Sequence, residues 1–151
     1  MIVLDTSVVL AFMNRRDDAH ARVRDWMEGL DEELGTTPLI VAELDHLLCS
    51  HGGAAAARAL REDLDRGAYA VEWWPSAIHE TIAIAQRYES MELGLADASL
   101  MALARQHGTH EIATLDERHF RALRPLSGKA DAFTLLPADA PPRSGGLSSR
   151  R

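Results

Sequence analysis

One cysteine, one lysine and an aromatic share of 5% are the scarcities of this 151-residue chain. With Cys49 alone, no intrachain disulfide can form and no cluster of thiolates can hold a metal, which suits a reducing compartment. Long apolar runs are missing too. No stretch approaches the ~18 apolar residues of a membrane span. The N-terminal apolar run is short, broken by Asp5 and not preceded by basic residues, so no signal peptide is expected. The expected location is the cytoplasm, with no membrane partner. The GxxxxGK[ST] phosphate loop is absent, and the seven histidines show neither HxH nor HExxH spacing. These absences set aside nucleotide-driven chemistry and a zinc hydrolase centre.

What is present is a chain 46% hydrophobic, long enough for one domain to bury its own core. Its net charge of −7 argues against a broadly basic nucleic-acid surface. The same charge allows a concentrated acidic site that attracts cations or a basic partner. Fifteen of the sixteen basic residues are arginine. Arginine is the better bidentate phosphate ligand, though scattered solvated arginines would look no different in the sequence.

Short apolar runs alternate with helical patterns along the chain. IVL, LGTT, AYAVEWW, EIATL and AFTLL read as strands. TSVVLAFMN, DDAHARVRDWME, PLIVAELDHLLCS, AAAARALREDLDRG, PSAIHETIAIAQRYES, ADASLMALARQHG and the short DERHFRAL read as helices. Pro38 and Pro75 stand at first helical positions, Gly52 and Gly53 separate two helices, and Gly67 and Gly108 close others. This alternation predicts an α/β domain with a mostly parallel sheet covered on both faces. Residues 1–136 form that domain, while 137–151 (PADAPPRSGGLSSRR) lack an apolar period and read as a flexible tail.

Four acids occupy telling places. In open parallel sheets, ligands bind at the carboxyl ends of strands. Asp5 directly follows IVL, and Asp116 directly follows IATL. Asp97 falls in the first turn of ADASLMALA, on a side shared with Met101 and Ala104. Glu43 borders the apolar stripe Ile40, Leu44, Leu47 and Leu48, with Asp45 at the opposite edge. Singly, each aspartate also reads as a helix cap and Glu43 as an exposed helix acid. Together, in a dehydrated cleft, they would repel one another until a divalent cation joined them. Carboxylate-only ligation favours Mg²⁺ or Mn²⁺. Such a cluster suits phosphodiester hydrolysis, in which the cation polarises the phosphoryl group and activates water.

LDTSVVLAF, PLIVAELDHLL, LGLADASLMALA and IATLDERHF, in this order, resemble the PIN-domain family, and most closely its VapC-type toxin ribonucleases. The resemblance spans residues 1–136 and implies a PIN-like three-layer α/β/α sandwich. It implies an Mg²⁺- or Mn²⁺-dependent endoribonuclease, the toxin of a toxin–antitoxin pair. Carried across by motif, Asp5 and Asp97 would be the principal metal ligands, with Glu43 and Asp116 ligating directly or through water. Ser7 would orient the first carboxylate, with Thr114 in a similar but weaker role. The family further implies a homodimer and a VapB-type antitoxin whose C-terminal segment lies across the site. It also implies an RNA substrate such as tRNA or rRNA. Arg15, Arg16, Arg22 and Arg24 are candidates for a basic rim, and equally for ordinary surface charge.

Two other functions remain open from the sequence. A non-catalytic module could use the acidic patch to receive a basic partner protein. An aspartate-nucleophile phosphatase would want a second Asp two residues after the first, where this chain has Ser7. Cys49 reads as a small core residue, and all seven histidines as structural or surface groups.

Overall fold

Ile2–Leu4 forms β1 in a computed structural model that describes residues 1–128 and 130–141. All three residues are buried, as a strand covered on both faces requires. The other strands are β2 (Leu34–Thr36), β3 (Ala70–Val71), β4 (Glu111–Ala113) and β5 (Thr134–Leu136). They assemble into one sheet in the order β3-β2-β1-β4-β5, with every neighbouring pair parallel. Parallel neighbours need long crossovers, and helices supply them. These are α1 (Thr6–Met13), α2 (His20–Met27), α3 (Pro38–Leu47), α4 (Gly53–Asp65), α5 (Ala77–Arg87), α6 (Leu95–His107) and α7 (Glu117–Phe120). The expected α/β/α arrangement with a parallel central sheet is therefore the observed one.

The strand order positions the site. From β1 the chain builds outward through β2 to β3, then returns to lay β4 on the other side of β1. Direction thus reverses between β1 and β4, the point at which parallel sheets bind ligands beyond the carboxyl ends of their strands. Val3 and Leu4 pair with Ile112 and Ala113, so Asp5 and Thr114 leave the sheet side by side. The Asp5 N–H extends the ladder by donating to the Ala113 carbonyl at 3.0 Å. Helix α6 packs against β1, β4, α3 and α5, and every residue from Ala98 to Ala104 is buried. Asp97, one residue earlier, is half-buried in the first turn of this packed helix.

Several local expectations shift. The third strand shrinks to two residues, because the chain after Val71 turns away at Trp73–Pro75. Helix α5 starts at Ala77 rather than Pro75, after a turn in which Ser76 and the Trp74 indole both donate to Glu80, at 2.6 and 3.1 Å. Gly52 and Gly53 do not separate two helices cleanly. A π-helical turn, Leu48–Gly52, carries α3 into α4, and Gly53 absorbs the change of direction with φ +80°. Cys49 lies exposed on that turn rather than in the core, with Arg61 Nη2 3.4 Å from its sulfur.

Beyond β5, Pro137 is buried and Asp139 accepts from the Leu135 N–H at 2.8 Å. Arg121 donates to both oxygens of Asp139, at 2.6 and 3.1 Å. The rest of the segment read as a tail, from 142 to 151, lies outside the described residues. Among the described residues, no helix is long and apolar enough to cross a membrane.

Candidate active site

Asp5 stands at the N-cap position of α1, in extended conformation, yet makes no side-chain capping bond. Its carboxylate is taken up elsewhere. Ser7 donates to Oδ2 at 2.6 Å, and Thr114 donates to the same oxygen at 2.7 Å. Among the described residues no side chain hydrogen-bonds to Oδ1. Each hydroxyl is anchored in turn. Ser7 Oγ accepts the Leu115 N–H at 2.9 Å, and Thr114 Oγ1 accepts the Asp116 N–H at 3.0 Å. The start of α1 and the loop after β4 are thereby tied through one buried carboxylate. Burial raises the Asp5 carboxyl above its ordinary range, and the two hydroxyls, then the N–H groups of Thr6 and Ser7, pull it partly back.

Glu43 projects from the middle of α3 and is exposed. Thr6, one residue after Asp5 and itself buried, donates to Glu43 Oε2 at 2.7 Å. The two helices carrying Glu43 and Asp97 are also pinned to each other. Thr37, the N-cap of α3, accepts from the Ile40 N–H and lies 2.7 Å from Ser99 Oγ on α6.

Asp97 is half-buried, and its carboxyl is pushed up to about 6. Burial is the largest cause, followed by the charge of Asp5; Glu43 and Asp116 add to it, while His119 opposes. Asp97 therefore feels the charge of the other three expected acids. Asp116 is exposed and caps α7 by accepting the His119 N–H at 3.1 Å. Its expected capping role therefore holds. Among the described residues, no three His, Cys, Asp or Glu side chains are gathered tightly enough to hold a metal ion. The donors are nonetheless all hard oxygens, the chemistry Mg²⁺ or Mn²⁺ takes.

His119 is the residue that motif reading passed over. Its Nδ1 lies 3.6 Å from Asp97 Oδ2 and 3.7 Å from Asp116 Oδ2, and its buried Nε2 has no partner among the described residues. The signal was the spacing Asp116-x-x-His119, since a capping aspartate brings the third following residue over itself. Thr6 was passed over as well, because its partner is 37 residues away.

Among the described residues, none of the four arginines considered for a basic rim is ion-paired with Asp5, Glu43, Asp97 or Asp116. Arg15 and Arg16 lie beyond the far end of α1, roughly 12 Å of helix from Asp5. They edge a groove of about 690 Å³ floored by Leu10, Met13 and Leu48. Arg24 pairs with Asp25 at 2.7 Å, and Arg22 is exposed on α2.

Comparison with known proteins agrees with this architecture. Residues 2–124 match the PIN domain family. The chain is 35% identical over 137 residues to Ribonuclease VapC26 of Mycobacterium tuberculosis, covering 90% of this chain and all of that one. Its fold resembles the crystal structure of VapC20 of Mycobacterium tuberculosis, a sarcin–ricin-loop-cleaving toxin, with a TM-score of 0.74. That match has 21% identity and covers 81% of this chain and 95% of VapC20. It also resembles FitAcB from Neisseria gonorrhoeae, with a TM-score of 0.56, 25% identity, and coverage of 80% and 91%. On family match, identity and fold together, the chain belongs to the PIN-domain family, and within it to the VapC-type ribonucleases.

Proposed function

We propose that this chain is an Mg²⁺- or Mn²⁺-dependent endoribonuclease, the toxin of a VapBC-type pair, which hydrolyses RNA phosphodiester bonds with water. The observation that carries this reading is the Asp97 carboxyl. It is pushed up to about 6 by burial and by Asp5, Glu43 and Asp116 at the strand-order reversal of a VapC-type fold. A half-buried carboxyl that feels the charge of three other acids is a natural receptor for a divalent cation.

Asp5 and Asp97 would hold the ion, with Glu43 and Asp116 completing the set directly or through water. A bound divalent ion supplies a Lewis acid for the phosphoryl oxygen and lowers the pKa of water. The chain's own contribution is positional. Asp5, buried, has Oδ2 held by Ser7 and Thr114, so its carboxylate is fixed before any ion would bind. Glu43 and Asp116, both exposed, lie toward the solvent from which RNA and water arrive.

The same acidic crevice would take an arginine from a VapB-type antitoxin segment, a charge-assisted contact that closes the site to RNA. A homodimer working in the cytoplasm, on structured RNA such as tRNA or rRNA, completes the proposal. Incubating the purified chain with total RNA and Mg²⁺, then mapping the cut ends, tests it. Discrete ends that vanish with EDTA support it. Intact RNA together with metal-independent binding of a basic partner would favour the non-catalytic module instead.

A further inference from the structure

We propose that Thr6 is a positioning residue for Glu43: its hydroxyl fixes one oxygen of that exposed carboxylate and so presents the other to the site. The inference rests on the metal-dependent reading above for its functional consequence, though not for its geometry.

Glutamate on an exposed helix face samples several rotamers, and ordering it on ligation costs free energy. Here the carboxylate is already held. Thr6 Oγ1 donates to Glu43 Oε2 at 2.7 Å, the usual length of a well-formed hydroxyl bond. Thr6 is well suited to aim it. As a β-branched residue it is stiff about its first side-chain torsion, and burial at 7% exposure leaves it little room. It is also the first residue of α1, so four residues earlier the chain is still strand β1. The backward bond that threonines make to the preceding helical turn is not available to it. Its hydroxyl is free to reach across to α3.

Thr6 and Ser7 are consecutive, about 100° apart around the helix. Their hydroxyls go to different acids, Glu43 and Asp5. The opening turn of α1 therefore sets two of the four carboxylates relative to each other. Thr6→Val removes the hydroxyl while keeping the branched shape, and Thr6→Ser keeps the hydroxyl.

The test has two readouts on the purified full chain. The first is the side-chain order of Glu43, from carbon-13 NMR couplings measured in EDTA. The second is Mn²⁺ affinity by calorimetry. The expected result is one dominant Glu43 rotamer in wild type and in Thr6→Ser, and averaged rotamers in Thr6→Val. Mn²⁺ affinity should fall roughly ten- to a hundredfold in Thr6→Val, the effect of losing a contact that orients a metal ligand, and recover in Thr6→Ser. Equal Glu43 order in wild type and Thr6→Val overturns the inference. So does unchanged Mn²⁺ affinity in Thr6→Val while wild type binds, even if its melting temperature falls, since a merely structural tether would do that. Should wild type bind no Mn²⁺, the metal-dependent reading fails, and the rotamer comparison alone decides the role of Thr6.

Discussion

Ser7 and Thr114, 107 residues apart in sequence, bring their hydroxyl oxygens within 3.4 Å of each other and donate to the same oxygen of Asp5. Both also accept backbone N–H groups from the loop after β4, so neither hydroxyl can turn away without stranding a partner. Ser7→Ala and Thr114→Val should each cost about 1–2 kcal/mol of stability, the loss of a buried bond to an acidic acceptor. The double variant should deviate from the sum of the two, because the hydroxyls share one acceptor. Urea unfolding at pH 7 in EDTA measures this. Additive, near-zero effects would mean that the pair does not hold Asp5.

Asp97 gives the metal-free protein a pH dependence of definite sign. Its carboxyl has an ordinary value of 3.8 and is pushed up to about 6 in the fold. Between those values the folded state binds more protons than the unfolded chain. This group therefore adds stability when protonated, and that contribution is lost as pH rises through about 6. At pH 7 the ionised carboxylate is a burden, so Asp97→Asn should stabilise the protein by about 1–3 kcal/mol in EDTA. The gap between variant and wild type should close toward pH 4. Melting curves from pH 4 to 7 check it, and a gap that widens on acidification contradicts it.

His119 opposes that shift from 3.6 Å away. His119→Phe keeps a ring beside Phe120 and removes an influence that lowers the Asp97 carboxyl. The midpoint of Asp97, followed by carboxyl carbon NMR, should climb above about 6. A midpoint that stays or falls would show that His119 does not act on Asp97.

Gly108 ends α6 in left-handed conformation, φ 63°, with open space where a side chain would go. Gly108→Ala should therefore cost about 1 kcal/mol through backbone strain alone. Chemical denaturation reads the change, and a loss of several kcal/mol would mean a steric clash that the open space does not allow.

Most of this layout was legible in the chain itself. The strands IVL, LGT, EIA and TLL lie where apolar runs are bracketed by helical patterns, because burial on both faces leaves a continuous apolar signature. The positions of Asp5 and Asp116 followed from strand ends, and that of Asp97 from a helix start. Contacts set by how helices cross were not legible. No periodicity says that Thr6 meets Glu43, or that Ser99 meets Thr37, because each pair depends on the angle between two separate elements. The capping reading of Asp5 was locally sound and gave way to tertiary structure, since two hydroxyls from α1 and β4's exit take the carboxylate instead. Cys49 looked like core for a similar reason. It follows Leu47 and Leu48, but the π-helical turn rotates it outward toward Arg61.

Cleavage of RNA by wild type, Asp5→Asn and Asp97→Asn, with cut ends mapped in Mg²⁺ and again in EDTA, tests the central claim most directly. Both variants should remain folded and lose cleavage by more than about 100-fold, beyond the 10–100-fold expected of a supporting contact. Wild type in EDTA should match them. Discrete cut ends persisting at the wild-type rate in either folded variant would contradict a site built on these two carboxylates.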